Sequence, residues 1–303
     1  MIRIGLVGYG SFGRKHAKVL QSLPEVALVA IANDLPIDPA DLPEGVRAYT
    51  DFREMLRSGI DAVIVVVPTV AHYLVASEAI QLGIPTLIEK PVTQNLEEGI
   101  KLVALAEKHR VVVRVGHIER FNPVAQMLKR EFDSGVCGEM FRFDAGRVFP
   151  YNGRILDVGI ALDLSIHDVD LLLWISGRRP ARVTAERRRS IHPRHEDHVE
   201  AMIRFEDGCF GHVLTSWTLP RRGRWFRAEG SLGSLQGDLS SHEVVFMSTE
   251  GEARVVPVSP VDQLAEEHQD FLAAIRREES LGTTLSESLL ALDLVLQLAH
   301  APL

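Results

Sequence analysis

The sequence has 303 residues, 46% of them hydrophobic and 24% charged, which is typical of a globular protein with room for two domains. Its net charge of −8 disfavours nucleic acid and anionic membranes as partners, because both attract basic surfaces. Cys137 and Cys209 lie in unrelated contexts, so neither a disulfide framework nor a metal site is expected. No signal peptide and no run of membrane-spanning length is recognised, which predicts a cytoplasmic protein.

The first 117 residues alternate short apolar strands with helical patterns. Strands are predicted at 2–8, 26–32, 61–67, 85–91 and 111–117, and helices at 11–23, 51–56, 71–83 and 96–110. Strands separated by helices form a parallel sheet with right-handed crossovers. The sequence therefore predicts an α/β domain with helices on both faces of such a sheet.

The segment GYGSFG follows the first strand and opens the first helix. Gly8 suits a tight turn, Gly10 lets a pyrophosphate approach the backbone, and Gly13 lets helix and strand pack closely. The helix N-terminus then offers N–H groups and a partial positive charge to phosphates. The alternative, a glycine turn that binds nothing, fits this strand–turn–helix context less well.

The second strand ends in Asn33-Asp34, about 20 residues past the glycines. An acidic side chain at this distance holds the adenosine ribose of NAD and repels the 2′-phosphate of NADP. No basic residue follows directly in NDLPID, so NAD is favoured over NADP. The alternative is that Asp34 only stabilises a turn.

Two further segments carry charged or titratable side chains where burial is expected to be energetically unfavourable. Glu89-Lys90-Pro91 falls at the C-terminal end of a strand, the sheet edge where ligands bind, although a strand-end lysine can also be a surface residue. In the helix around 161–173, Asp163, His167 and Asp170 share one face. Taken alone, this spacing also fits a histidine paired with its neighbouring carboxylates.

Beyond about residue 119 the pattern changes to strands separated by turns. Strand-like runs are EMFRFDAGRV, ARVTAERRRS, DHVEAMIRFED, CFGHVLTSW, RWFRAEG, SLQGDL and EVVFMS. Asp207-Gly208 and Glu250-Gly251 predict tight hairpin turns. Two helices, near 261–278 and 284–300, complete the chain.

Four motifs occur in combination: GxGxxG, VPTVAHY, EKP and the DxxxH spacing of Asp163 and His167. With these motifs, the chain resembles the Gfo/Idh/MocA family of oxidoreductases over essentially its whole length. Four longer segments resemble the branch of this family that includes UDP-N-acetylglucosamine 3-dehydrogenases. They are VGHIERFNP, DVGIALDLSIHDVD, EDHVEAMIRFEDG and TSWTLPRRGRWFRAEGSLG. The resemblance implies a Rossmann domain over 1–118. It also implies an α/β domain over 119–303 with a large, mostly antiparallel, open-faced sheet for substrate binding and for assembly into a homodimer or homotetramer.

The resemblance also implies the site. Its catalytic residues match Lys90, Asp163 and His167, of which Lys90 and His167 both remain candidates for the base. Asp163 would orient the substrate. The cofactor-binding residues that it implies are Gly8, Gly10, Ser11, Phe12, Gly13, Asn33, Asp34, Pro68, Thr69, His72, Glu89 and Lys90.

A nucleotide-sugar diphosphate needs cations and hydrogen-bond donors. The candidate substrate-binding residues, besides Asp163 and His167, are Arg120, Asn122, Arg147, Arg154 and Trp217, and Trp217 is equally suited to a core. The arginines at 187–189 and 194 fit a charged edge strand better than a phosphate site.

Three functions are consistent with these observations. The favoured one is NAD-dependent oxidation of a secondary alcohol of a sugar, at C3 of UDP-N-acetylglucosamine or a related nucleotide sugar. The second is the same chemistry on another sugar or an inositol-like polyol. The third is a non-catalytic protein that senses NAD or a sugar, because a fold alone does not establish catalysis.

Overall fold

A computed structural model describes residues 1–151, 153 and 158–302. The chain forms two compact units, one of residues 1–118 with 262–289 and the other of residues 119–261 with 290–303. The sequence-based division placed 262–289 in the second domain, whereas in the structure these residues belong to the first unit. Phe271 and Leu272 pack in the core of the first unit beside Leu20. They lie on a helix within 262–289, and burial of its apolar face in that core explains why the segment belongs to the first unit. In the described part of the chain, no helix is long and apolar enough to cross a membrane.

The first unit contains a six-stranded parallel sheet in the order β3-β2-β1-β4-β5-β6. Its strands are β1 (Ile2–Val7), β2 (Val26–Ala32), β3 (Arg47–Tyr49), β4 (Ala62–Val65), β5 (Thr86–Glu89) and β6 (Val113–Gly116). This is the Rossmann order, with the switch in direction between β1 and β4. The sequence did not predict β3, because this three-residue edge strand is largely exposed and carries no apolar pattern.

All the α-helices lie close to their predicted positions except the one over Pro123–Asp133, which the sequence did not predict. They are α1 (Ser11–Ser22), α2 (Phe52–Leu56), α3 (Thr69–Gln81), α4 (Leu96–His109), α5 (Pro123–Asp133), α6 (Ile166–Ser176), α7 (Gln263–Ile275) and α8 (Leu285–Ala299). Their starts follow local chemistry. Asn95 accepts the Glu98 N–H at the start of α4, and Asn122 accepts the Val124 N–H at the start of α5.

The second unit contains an eight-stranded sheet in the order β14-β13-β12-β11-β7-β10-β9-β8. Its strands are β7 (Met140–Val148), β8 (Pro180–Arg188), β9 (His198–Phe205), β10 (Phe210–Ser216), β11 (Gly223–Gly230), β12 (Gly233–Asp238), β13 (Glu243–Ser248) and β14 (Ala253–Pro257). Among these described strands, β7 and β10 pair in parallel and all other neighbours pair antiparallel. The edge strand β8 carries Arg187 and Arg188, as the charged-edge interpretation predicts.

The two faces of this sheet differ. Buried and exposed side chains alternate along β9, and α5 and α6 pack on the buried side. Gly208 and Gly251 have φ near +90° in the connections between β9 and β10 and between β13 and β14, so the predicted turns form there. The short strand β14 was not predicted from the sequence.

Candidate active site

The turn between β1 and α1 needs its three glycines for three different reasons. Gly8 has φ +98°, and a Cβ atom on it would lie 2.3 Å from the Val66 carbonyl oxygen. A Cβ on Gly13 would lie 2.1 Å from the Gly8 carbonyl oxygen, so Gly13 permits close packing of helix and turn. A Cβ on Gly10 would meet no atom within 4 Å. The space beside Gly10 is therefore open to a ligand, as a pyrophosphate requires.

The start of α1 is suited to bind an anion. No side chain caps this end of the helix, and its first turn has no acidic residue. The Asn33 side chain fixes the turn against β2, since its Oδ1 accepts the Tyr9 N–H at 3.0 Å and its Nδ2 donates to the Leu35 carbonyl at 2.9 Å. Asn33 thus orders the backbone that would hold a pyrophosphate.

A cavity of about 620 Å³ opens along the carboxyl ends of these strands. Eleven of the predicted cofactor residues line it: Gly8, Gly10, Ser11, Phe12, Gly13, Asn33, Asp34, Pro68, His72, Glu89 and Lys90. Thr69, the twelfth, is the first residue of α3 and does not line the cavity. Sequence reasoning missed Thr50 and Phe52, because only the tertiary fold brings this loop and α2 to the cavity wall.

The glycine geometry predicts that two similar substitutions act differently. Gly10→Ala is expected to leave the free energy of unfolding within about 1 kcal/mol of the parent, since the new methyl meets open space, while weakening NAD binding at least about tenfold. Gly13→Ala is expected to destabilise the protein by about 2 kcal/mol or more, because its methyl overlaps a backbone carbonyl. Urea unfolding and dinucleotide titration measure the two effects. Equal destabilisation by both variants would contradict the assignment.

His72 is buried in the cavity wall and is engaged with the backbone. Its Nδ1 lies 2.9 Å from the Pro91 carbonyl oxygen and its Nε2 lies 2.9 Å from the Val67 carbonyl oxygen. Burial lowers the His72 pKa, although these two contacts and the charge of Glu89 oppose the shift. His72 therefore positions the segment after Lys90, and both of its polar atoms are occupied by protein.

Asp163 and His167 lie on a helix that begins with an irregular turn. Residues Ala161–Ser165 are π-helical and lead directly into α6. Such turns recur at functional sites. Glu196 supports the start of the helix, because its Oε1 accepts the Ala161 N–H at 3.2 Å. A Cβ on Gly159 would meet the Glu196 carboxylate within 2.3 Å, so glycine makes room for this support.

The next two carboxylates of α6 are buried in ion pairs. Asp170 accepts both Nε and Nη2 of Arg120, at 2.9 and 2.8 Å, and the two side chains are almost fully buried. Asp168 accepts Nε of Arg147 at 3.2 Å, and Arg147 also donates Nη1 to Glu119 at 2.7 Å. The acidic residues beside the catalytic candidates therefore anchor α6.

These contacts give three predicted substrate-binding residues partners within the protein. Arg120 and Arg147 are 2% and 4% exposed, and their guanidinium groups donate hydrogen bonds to buried carboxylates. Asn122 is 1% exposed, caps α5 and donates to the Leu239 carbonyl at 2.9 Å. The sequence suggested that these polar groups lie near the helix of Asp163 and His167, but it did not reveal that the two arginines pair with acidic side chains and that Asn122 bonds to the backbone.

The network holds its carboxyl groups at different pKa values. For Glu119, burial is outweighed by Arg147 and Arg224, so its pKa is lowered. For Asp168, burial and the nearby Glu119 charge raise the pKa to about 6 despite Arg147. The stability contributed by Glu119 is therefore lost as pH falls through its lowered pKa. The stability contributed by Asp168 is greatest below its usual pKa of 3.8 and is lost as pH rises through about 6.

Two other residues, Trp217 and Arg154, were also predicted to bind substrate. Trp217 is 5% exposed and belongs to the hydrophobic core of the second unit, with its ring centroid 5.3 Å from that of Tyr151 and 5.8 Å from that of His192. Of the two roles considered for Trp217, the structure favours the core. Arg154 lies outside the described residues.

A glycine turn, an uncapped helix start and a cavity at the switch point of a Rossmann sheet define a dinucleotide-binding protein. Family models agree in both units. Residues 2–117 match the model described as "Oxidoreductase family, NAD-binding Rossmann fold", and residues 125–236 match the GFO/IDH/MocA C-terminal domain. The chain belongs to the Gfo/Idh/MocA family, and it is an NAD-binding dehydrogenase of the class that acts on CH–OH groups.

Two curated relatives and one solved structure are similar over most of the chain. UDP-N-acetylglucosamine 3-dehydrogenase of Acidithiobacillus ferrooxidans is 30% identical over 90% of this chain and 88% of its own length. The scyllo-inositol 2-dehydrogenase (NAD(+)) of Bacillus subtilis is 31% identical over 83% of this chain and 78% of its own. A solved structure of the Acidithiobacillus ferrooxidans enzyme matches 99% of this chain and 97% of that chain, with a TM-score of 0.91 at 28% identity.

Proposed function

We propose that this protein oxidises a secondary alcohol of a sugar with NAD, most specifically C3 of UDP-N-acetylglucosamine or a related nucleotide sugar. The observation that carries the proposal is the similarity to UDP-N-acetylglucosamine 3-dehydrogenase, which extends over 90% of the chain. The presence of Lys90, Asp163 and His167 at the family's catalytic positions supports catalysis over sensing.

The proposal gives each residue a chemical task. Bound NAD accepts the hydride from the carbinol carbon, and the hydroxyl proton needs a base. His167 is a candidate because imidazole titrates near neutral pH. Lys90 donates a hydrogen bond to the reacting oxygen and stabilises negative charge on it, or accepts the proton itself. Asp163 orients the substrate.

We also propose NAD, not NADP, as the cofactor, with Asp34 at the adenosine ribose. Asp34 is exposed at the cavity, where its Oδ1 accepts the Leu35 N–H at 3.0 Å. Asp34→Ala is expected to weaken NAD binding about tenfold and to narrow the preference over NADP by a similar factor, because a carboxylate there repels a 2′-phosphate. Titration with both dinucleotides measures this, and the exposed Asp38→Ala is the matched control. An unchanged preference would remove Asp34 from the site.

The direct test mixes the purified protein with NAD and UDP-N-acetylglucosamine and follows NADH absorbance. A parallel sample includes 2-oxoglutarate, which would reoxidise NADH that stays bound. NADH formation, or 2-hydroxyglutarate in the parallel sample, is expected, and NMR of the product then identifies the oxidised carbon. No product in either sample, with NAD binding demonstrated, would contradict the nucleotide-sugar proposal.

A second candidate substrate is an inositol or a free sugar. It is favoured by the 31% identity to scyllo-inositol 2-dehydrogenase and by the burial of Arg120 and Arg147, which removes two cations from the expected diphosphate site. The same assay with scyllo-inositol and myo-inositol separates the two. A specificity constant at least about tenfold higher for an inositol would favour this candidate.

We further propose a homodimer or homotetramer assembled through the less covered face of the eight-stranded sheet. That face carries Met202 at 42% exposure and the partly exposed Leu214 and Trp225. Exposed apolar side chains on a sheet face favour association. Light scattering of the purified protein measures the assembly, and a monomer at micromolar concentration would contradict it.

A further inference from the structure

A buried cluster of four titratable side chains lies behind the cavity of the first unit. We call it the His–Glu cluster, and it comprises His16 of α1, Glu89 of β5, and Glu267 and His268 of α7. None of the four is more than 7% exposed. Burying so many ionisable groups is costly, which indicates that the cluster has a task beyond packing.

Three of its members, His16, Glu89 and His268, are in contact across segments that are distant in sequence. Nε2 of His16 lies 3.2 Å from Oε1 of Glu89, and the rings of His16 and His268 pack edge to face with centroids 5.0 Å apart. Both carboxylate oxygens of Glu267 and both ring nitrogens of His268 are buried with no hydrogen-bond partner among the described residues. Among the residues that the structure describes, no group of three or more His, Cys, Asp and Glu side chains could hold a metal ion.

Glu89 connects this cluster to the cavity. It lines the cavity wall beside Lys90, and its Oε2 accepts the Lys90 N–H at 3.2 Å. A Cβ on Gly116 would lie 2.6 Å from Glu89 Oε1, so the neighbouring strand leaves room for this carboxylate. Across the sheet, β5 and β2 lie on opposite sides of β1, which puts Glu89 at the end of the cavity opposite Asp34.

We propose that the His–Glu cluster is a buried counter-charge for the oxidised nicotinamide, which makes the protein hold NAD⁺ in preference to NADH. The proposal rests on NAD occupying the cavity with its adenosine towards Asp34, and it is independent of the sugar. NAD⁺ carries a positive charge on its nicotinamide and NADH does not. A carboxylate facing that end of the cavity from a poorly solvated position therefore stabilises only the oxidised form.

Within the cluster, Glu89 faces the cavity and Glu267 carries a proton. Burial raises the pKa of Glu267 well above its usual value, and the charges of Glu89 and Asp270 raise it further. Burial lowers the pKa of His268 well below its usual value, and His16 adds to this effect, so His268 is neutral. As pH rises and Glu267 loses its proton, a second negative charge appears and the preference for NAD⁺ grows.

Other charged groups surround this pair. The groups on the neighbouring elements are His16 of α1, His72 of α3, Lys90 after β5, Arg114 of β6, and His268 and Asp270 of α7. Asp270 is occupied by the Ser280 hydroxyl and by the N–H groups of Leu281 and Gly282. The proposal assigns the pH response to Glu267 because its oxygens have no hydrogen bond in the described residues.

The experiment compares the dissociation constants of NAD⁺ and NADH by titration of the full chain, without sugar. Glu89→Gln is expected to weaken NAD⁺ binding about tenfold and to change NADH binding less than about twofold. The exposed Glu266→Gln, also on α7, is the matched control and is expected to change neither. An equal loss for both dinucleotides, or no change in their ratio, would overturn the proposal.

Glu267→Gln supplies an independent readout, because glutamine has the shape of a neutral glutamic acid. In the parent, the preference for NAD⁺ is expected to rise with pH as Glu267 loses its proton, above the usual range of a glutamate because its pKa is raised. In Glu267→Gln this rise is expected to disappear. A pH response that persists in this variant would overturn the proposal, even if Glu89→Gln does not fold. Failure to oxidise any nucleotide sugar would leave the binding ratios intact and would count only against the proposed substrate.

Discussion

Lys90→Met and His167→Asn are each expected to reduce kcat about 10³-fold while NAD binding changes little. A positioned acid or base contributes roughly 10²–10⁴-fold to rate, and stabilisation of an alkoxide contributes a comparable factor. Met preserves the length of the lysine stem and removes its charge, and Asn keeps a hydrogen-bonding group without a titratable ring. Stopped-flow measurement of hydride transfer, with NAD titration alongside, separates loss of chemistry from loss of binding.

The pH profile distinguishes the two candidate bases. If His167 is the base, the acidic limb of kcat disappears in His167→Asn and persists in Lys90→Met; the reverse pattern assigns the base to Lys90. Lys108→Met and His109→Asn, both exposed on the last turn of α4, make the same chemical changes away from the cavity and are expected to be neutral. Normal turnover in either active-site variant would remove that residue from the mechanism.

Arg147→Met is expected to lower the free energy of unfolding by about 3–5 kcal/mol. Removing one partner of a buried ion pair leaves the other charge without compensation, and here two carboxylates, Glu119 and Asp168, lose their shared cation. Arg224 still reaches Glu119 at 2.9 Å, so Asp168 suffers the larger loss. Urea unfolding measures the change, and the exposed Arg204→Met is expected to cost less than about 0.5 kcal/mol.

The same variant tests whether Arg147 supports the fold or binds substrate. A structural residue changes stability and leaves KM within about twofold in the folded fraction, whereas a diphosphate contact would raise KM at least about tenfold at unchanged stability. We also expect Asp168→Asn in the Arg147→Met background to recover part of the lost stability, because it removes the uncompensated charge. Unchanged stability in Arg147→Met would contradict the buried network.

Local signals in the sequence were sufficient for most of the first 117 residues. The alternation of apolar strands and helices, the position of the glycine turn, and Asp34 and Lys90 at strand ends all follow from neighbouring residues. The parallel sheet and its cavity are consequences of that order. Two features of the first unit were missed: β3, because a largely exposed edge strand of three residues leaves no periodic pattern, and the return of residues 262–289 to this unit.

Long-range partners decided what the sequence left open. The sequence shows where a polar residue stands in the chain. Whether that residue faces a ligand or an opposite charge depends on residues that are distant in sequence. Arg147 meets Glu119 and Asp168, and Glu267 returns from the C-terminal region to lie near Glu89. By itself, the sequence determined the alternation of strands and helices in residues 1–117 and named the candidate catalytic residues. Tertiary packing decided which charges are buried against one another, because burial and Coulomb energy depend on distances in space that sequence separation does not fix.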